Sequence, residues 1–479
     1  MFKTSKDTLD PADWQAFRRD SHQMLDDMLD HLENLQTKPV WQQPPAELLS
    51  DDYAQLTSDA TELKDLHQWF MANIVPYSVG NIHPGFMGWV HGAGTVVGMV
   101  AEMLAAGLNA NVGGRYQAPI ILEQQLTQWL KHLFSFPDSA GGLMVSGTSM
   151  ANLIGVLIAR TWFLGKNSRQ QGLQQSAKRL VAYSSSSAHI SLTQALEIAG
   201  LGSDALRLIP VNSQFQLDIN ALKTAIMADK ANGFAPFLIA ATAGSVDVGA
   251  IDPLPELAEL AHQHGLWLHV DGAYAALAIL SPELAPLLQG IQAADSLAFD
   301  FHKWGQVPYD AGFILVRDQQ QQLATFASPA AYLMRADRGL AAGSPWPCDL
   351  GPELSRGFKA LKTWFTLKAY GTQKLGHVIW HTCQLAHYLK EKILMCDKLE
   401  LLAPVTLNIV CFRYRAEQAD AVNAKIVIAL QESGIAAPST TKINTMLAIR
   451  VAIFNHRTTE VHIDAMLDAC LRLGKQFSG

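Results

Sequence analysis

Two segments of this 479-residue chain carry residues that could do chemistry together. Leu266-Trp267-Leu268-His269-Val270 reads as a buried strand that delivers Asp271 at its carboxyl end, followed by the small residues Gly272 and Ala273. Further on, Phe299-Asp300-Phe301-His302-Lys303-Trp304 sets one lysine in apolar surroundings. A lysine is costly to bury unless it is neutralised, paired or used covalently. One covalent use is imine formation with a carbonyl compound. A lysine amine, with an acid that keeps a ring nitrogen protonated, is what pyridoxal phosphate chemistry asks of a protein. That chemistry also needs a phosphate cup. Gly147-Thr148-Ser149, in a Gly-rich run ahead of a helical stretch, offers small residues and hydroxyls at a helix N-terminus. It needs a flat group over the ring, and His189 opens a helix after a strand. Each piece alone has a bland reading: a salt bridge for Lys303, a helix cap for Gly147 to Ser149, a capping or core histidine for His189, a capping carboxylate for Asp271. The conjunction in one α/β order carries the weight.

A metal site is the competing use of the same region. His262, His264, His269 and Asp271 lie close together, and on a strand His269 and Asp271 share a face. His262 and His264, however, end a helix, where histidines suit the dipole and solvent. No metal is therefore expected.

The elements that must position these residues follow from periodicity. Residues 1 to about 80 read as two amphipathic helices, 13–35 and 59–72, joined by a Pro-rich segment; alone they make a poor core. From about 85 to 345, short apolar runs (206–211, 237–243, 266–270, 296–299 and 312–316) alternate with helical stretches (151–163, 191–199, 218–229 and 254–264). That pattern indicates a mostly parallel sheet with ligands at the carboxyl ends of its strands. From about 346, helices are expected over 355–370 and 376–394, half-exposed strands over 406–415 and 447–454, and a closing helix over 459–475. The expected units are an N-terminal helical arm, 1–84, a large α/β domain, 85–345, and a small α+β domain, 346–479.

Composition narrows the class. The chain is 49% hydrophobic, which excludes disorder. The net charge of −7, without a basic run, argues against nucleic acid as a partner. Only 16% of residues are charged, against about 25% in ordinary globular chains. Such depletion suggests surface hidden in a subunit interface. Residues 84–101 lack Asp, Glu, Lys and Arg but hold five glycines and His91, which fits a buried segment better than a membrane span. Five cysteines, none in a C-x-x-C, and an opening without an apolar signal-like run lead to the expectation of a reduced, cytoplasmic protein.

His269-Val270-Asp271-Gly272-Ala273-Tyr274 and Asp300-Phe301-His302-Lys303-Trp304 resemble the group II pyridoxal phosphate-dependent amino-acid decarboxylases, such as the aromatic-L-amino-acid, histidine, tyrosine and glutamate enzymes. The likeness runs over about residues 80 to 460 and takes in Ala188-His189, Gly249 to Pro253, Val307 to Asp310 and Arg356 to Lys362. The resemblance implies an aspartate aminotransferase-like fold (fold type I) and a homodimer with shared sites. By it, Lys303 binds the cofactor covalently, Asp271 meets the ring nitrogen, and His189 stacks on the ring. Gly147, Thr148, Ser149, Ala273, Asp300 and His302 lie around the cofactor. Tyr332, in a loop, would protonate the substrate carbon, and Phe86, Trp89 and Arg356 would meet the substrate. The chain departs from the pattern at Gly244-Ser245-Val246, where the family usually has two threonines.

Trp89 favours an aromatic or apolar substrate. Against it, Gly113 replaces the partner-facing aromatic of aromatic decarboxylases, and Leu108-Asn109-Ala110-Asn111 looks more like the glutamate branch, with Arg115 or His91 able to meet an acidic side chain. A decarboxylase of glutamate, aspartate or cysteine sulfinate, another lyase or aminotransferase using the same cofactor, a metal hydrolase and a non-catalytic relative stay open at this point.

Overall fold

The computed structural model describes residues 8–50, 58–174, 176, 178–328 and 334–478. The strands are β1 (Phe86–Met87), β2 (Gly141–Val145), β3 (Arg179–Ser185), β4 (Leu206–Ile209), β5 (Phe234–Thr242), β6 (Trp267–Asp271), β7 (Ser296–Asp300), β8 (Gly312–Val316), β9 (Leu399–Leu401), β10 (Ile409–Tyr414), β11 (Ala437–Ile443) and β12 (Met446–Ala452). The helices are α1 (Trp14–Glu33), α2 (Leu63–Asn73), α3 (Val96–Leu108), α4 (Ala118–Leu133), α5 (Thr148–Leu164), α6 (Ser168–Gln171), α7 (Ile190–Ile198), α8 (Ile219–Ala231), α9 (Leu254–His264), α10 (Gln319–Phe326), α11 (Lys359–Leu394), α12 (Ala419–Glu432) and α13 (Glu460–Ser478).

Seven strands form the large sheet in the order β2-β8-β7-β6-β5-β3-β4. All pairs are parallel except those made by β8. Successive residues of a strand point to opposite faces, and here both faces are apolar. Leu238, Trp267, Ala298 and Ile314 pack with Ile154 and Ile158 of α5 and Leu192 of α7. Their neighbours Ile239, Leu268, Leu297 and Phe313 pack on the other side with Leu126, Leu222 and Leu257 from α4, α8 and α9. Burial on both faces explains why these strands read as unbroken apolar runs.

The second sheet has the order β1-β11-β12-β10-β9. Its strands were expected to be half exposed, yet β10 and β12 are buried on both faces. Val410, Phe412, Ile449 and Val451 pack against α12 and α13, while Ile409, Cys411, Ala448 and Ala452 join the core of the large sheet. Alternation cannot reveal a second domain covering the other face. Residues 86–87, placed by the sequence reading with the large domain, pair in parallel with β11 instead. Gly371, at φ 71°, separates the two expected halves of α11.

At the N-terminus, Asp13 caps α1 by accepting the N–H groups of Gln15 and Ala16 at 2.9 and 3.1 Å. Neither α1 nor α2 buries a residue, and Trp14, Phe17, Trp69 and Phe70 are exposed. No helix among the described residues is long and apolar enough to cross a membrane.

Candidate active site

Sheet register brings the distant chemical segments together. Val145, ending β2, and Asp300, ending β7, both pair with Gly312, the first residue of β8. The turn that carries Gly147 to Ser149 therefore stands beside the turn that carries Lys303. A methyl group on Gly312 would press on the backbone of Gly147, so only glycine lets the two turns close up. One strand across, Asp271 pairs with Ala298 on one side and Thr242 on the other. The carboxyl ends of β2, β5, β6 and β7 thus open on one rim, as ligand sites of α/β sheets do.

A cavity of about 470 Å³ occupies that rim, lined by Gly147, Thr148, Ser149, His189, Asp271, Ala273, Asp300, His302 and Lys303, with Trp89, His91, Val246 and Tyr309 forming a further wall. The Lys303 amine lies 2.9 Å from Asp300 Oδ2, and Asp300 Oδ1 accepts the Thr148 N–H at 2.8 Å. The Thr148 hydroxyl is buried without a hydrogen-bond partner. An unsatisfied buried hydroxyl is costly, and an anion at the start of α5 would satisfy it. Asp271 accepts from the Ala273 N–H at 3.1 Å and from Asn152 Nδ2 at 2.9 Å, leaving other lone pairs of a cavity-lining carboxylate free. His189 caps α7, its Nδ1 accepting the Ser191 N–H at 3.2 Å. A primary amine, a carboxylate, a flat imidazole and an orphaned hydroxyl at a helix N-terminus around one cavity fit pyridoxal phosphate.

Burial disfavours the charged form of His302, His91 and His269. Burial pushes His302 below its ordinary value, and burial with the charges of Lys303 and His302 does the same to His91. His302 packs on Tyr309 at 4.3 Å between ring centres, and His91 stacks on Phe86 at 5.8 Å. His269 lies behind Asp271, fully buried, bonded to Asn152 and Ser296 at 2.9 and 2.7 Å, and is pushed down to about 4. His456, also by burial, falls to about 4.

An acid sensitivity follows from these two. Unfolded histidines titrate near 6.5, so below that pH the unfolded chain takes up two protons that the folded chain refuses. Asp252, pushed up to about 6 by burial, works the other way and cancels one of them between about pH 6 and 4. The net of about one proton costs roughly 1.4 kcal/mol per unit of pH lowered through that window. Denaturant midpoints at pH 7.5, 6 and 4.5 should fall in that order, and a flat profile would refute the assignment.

The structure gathers Lys303, Asp300, His302, Asp271, Ala273, Gly147, Thr148, Ser149, His189 and Trp89 around the cavity. Two expected substrate residues are not there. Phe86 is buried in β1, behind His91, because β11 recruits that segment into the second sheet. Arg356 is buried too, bonded to Glu123 at 2.6 Å and to the carbonyls of Met144 and Val112 at 2.6 and 3.1 Å. Its guanidinium is consumed by structure. Tyr332 lies outside the described residues. Arg115 stacks over Trp346, away from this cavity. No cluster of three or more potential metal ligands occurs among the described residues, and His264 pairs instead with Lys230 at 3.0 Å.

Sequence reasoning missed Tyr309 and Thr242 as cavity-lining residues, and Asn152 behind them. Asn152 follows Thr148 by four positions on α5, a helical spacing that puts both on one face and could have found it. It also missed Gly92, where a Cβ would collide with the carbonyl oxygens of His302 and Lys303. Gly92→Ala should displace the lysine turn and lower cofactor content, read as the ratio of cofactor to protein absorbance. Full occupancy would show that the turn has slack.

Residues 45–415 match the family model described as the pyridoxal-dependent decarboxylase conserved domain. The chain belongs to this family. Its cofactor is pyridoxal phosphate and its reaction class is amino-acid decarboxylation. An aromatic-L-amino-acid decarboxylase of Bacillus atrophaeus is 33% identical over 456 residues, covering 93% of this chain and 92% of the relative. A phenylacetaldehyde synthase of Petunia hybrida is 30% identical, with 97% and 94% covered. The crystal structure of Oryza sativa TDC with PLP and tryptamine superposes with a TM-score of 0.90 at 23% identity, covering 98% of this chain and all of that one, which shows the fold.

Proposed function

We propose that this family member removes the α-carboxylate of an aromatic L-amino acid. One observation carries the choice of side chain. Among the described residues lining the cavity, Lys303 is the one lysine or arginine, and it pairs with Asp300. Among the described residues of this chain, a substrate carboxylate side chain would find no guanidinium in the cavity, because Arg356 and Arg115 are held elsewhere. Trp89, Val246 and Tyr309 offer flat and apolar surface instead. The two relatives described above, named for aromatic amino acids and phenylacetaldehyde, support the same reading.

When bound, pyridoxal phosphate supplies a sink for the electron pair left as the bond from Cα to the carboxylate breaks. In this reading Lys303 is the amine that would hold the cofactor, beside Asp300. Asp271 holds the proton on the ring nitrogen. His189 keeps the ring flat and fixed, and Thr148 with Gly147 and Ser149 grips the phosphate. His302, neutral and packed on Tyr309, shields the lysine turn from water. Tyr332 returns a proton to the substrate Cα. We assign the exposed apolar faces of α1 and α2 to a homodimer interface, and the free cysteines suit a reducing, cytoplasmic setting. Sedimentation should give twice the 52.3 kDa chain mass. A stable, active monomer would overturn the assembly.

The test is a panel of phenylalanine, tyrosine, tryptophan, glutamate and lysine, assayed for carbon dioxide and for amine against aldehyde. The aromatic substrates should exceed glutamate by about 100-fold or more in kcat/KM. Glutamate turning over as well as the aromatics sinks the side-chain assignment. Aldehyde with hydrogen peroxide in place of amine would move the product class to that of the Petunia relative.

A further inference from the structure

Behind the cavity runs a chain of hydrogen bonds with one consistent direction, set by a donor-only indole at one end and an acceptor-only carboxylate at the other. The Trp267 indole can only donate, and it donates to Ser296 Oγ at 2.8 Å. Among the described residues the Ser296 hydroxyl has one other partner, His269 Nδ1 at 2.7 Å, and it gives its proton there. A neutral His269 therefore carries its proton on Nε2 and donates it to Asn152 Oδ1 at 2.9 Å. That choice orients the carboxamide. Its Nδ2 sends one hydrogen to Asp271 Oδ2 at 2.9 Å and the other to Ser191 Oγ at 3.1 Å. Ser191 in turn directs its hydroxyl at His189 Nδ1 at 2.8 Å, beside its own backbone N–H at 3.2 Å, and the two leave the His189 proton on Nε2.

Trp267, His269 and Asp271 are alternate residues of β6, so they share the face that α5 covers. Asn152 is fully buried and does not line the cavity. Ser296 and His269 are fully buried as well, so water does not compete along this path. The push of His269 down to about 4 by burial agrees with a neutral ring.

We infer that Asn152 is a positioning residue whose single carboxamide aims Asp271 and, through Ser191, reinforces the His189 tautomer that the Ser191 N–H sets, and that its own orientation is also held from behind by Trp267 through Ser296 and His269. The inference rests on the reading that Asp271 and His189 flank the cofactor ring. Every donor in the chain is used once and every bond points the same way. Reversing the carboxamide would turn an oxygen toward the Asp271 carboxylate and leave His269 facing an N–H group. The arrangement thus has one low-energy state, so the carboxylate presented to the ring nitrogen has one orientation.

Three variants test this, each read by the cofactor dissociation constant on dilution of the holoenzyme, its absorption spectrum, and kcat against KM. Asn152→Asp keeps shape but cannot donate to Asp271. It should bind cofactor about tenfold more weakly, with an altered spectrum and a loss in kcat rather than KM. Ser296→Ala, remote from the cavity, should reproduce the same changes at several-fold. A residue serving stability alone would lower the unfolding temperature without moving spectrum or dissociation constant. If either variant keeps the parent's dissociation constant and spectrum, the inference is overturned; should one fail to fold, the other decides. Asp271→Asn separates the two levels. If it too leaves cofactor binding untouched, the reading of the site fails; if it acts while the other variants do not, only the relay does.

Discussion

Lys303→Ala should abolish carbon dioxide release, lowering kcat by a factor on the order of 10³ or more, which is roughly 4 kcal/mol of transition-state stabilisation. The visible absorbance of covalently bound cofactor should vanish with it. The expectation rests on the position of the amine, 2.9 Å from Asp300 in a cavity that holds no other lysine or arginine among the described residues. Lys303→Arg sharpens the test. A guanidinium restores the charge facing Asp300, but it stays protonated and cannot act as an amine nucleophile. Lys303→Arg should therefore be as inactive as Lys303→Ala while retaining more of the parent's stability, because Asp300, 3% exposed, keeps a cation nearby. Substantial turnover in either variant would mean that Lys303 is a structural cation and the cofactor is anchored elsewhere.

Arg356→Ala should act on the fold and not on substrate binding. Arg356 and Glu123 are both almost fully buried, 2.6 Å apart, and the guanidinium also ties the carbonyls of Met144 in β2 and Val112. Removing one partner strands the other charge. The cost of breaking such a pair is about 3–5 kcal/mol. Glu123 would suffer especially, since its Oε2 already lacks a partner. The double variant Arg356→Met with Glu123→Leu removes both charges, and most of the lost stability should return. In the double variant KM should stay within about twofold of the parent, since no substrate contact has been lost. A tenfold rise in KM with stability restored would instead place Arg356 at the substrate, as its position ahead of α11 first suggests.

These two residues mark how far the sequence reaches. Lys303, Asp271 and the Gly147–Ser149 turn were legible because each sits where a change in periodicity ends a strand or starts a helix. Strand ends form the rim of a parallel sheet, whatever the details of packing. His302, Asp300 and Ala273 came with their neighbours in short segments. Arg356 and Phe86 lie in equally suggestive segments, yet the structure turns both away from the cavity. Their partners, Glu123 and the strand β11, are remote in the chain, and no local pattern names them. The buried faces of β10 and β12 escaped for the same reason, since one of those faces packs on the core of another sheet.

Alone, the sequence determined the chemical inventory, the α/β alternation that carries it, and the family. These depend on side-chain types and on spacings within a turn or two, which survive in any local reading. The tertiary structure decided which charges are spent on one another, which aromatic rings reach the cavity, and how one carboxamide bonds both Asp271 and Ser191. Such outcomes depend on strand register and on the desolvation of partners brought together from far apart in the chain. A periodicity of two or of 3.6 does not carry that information.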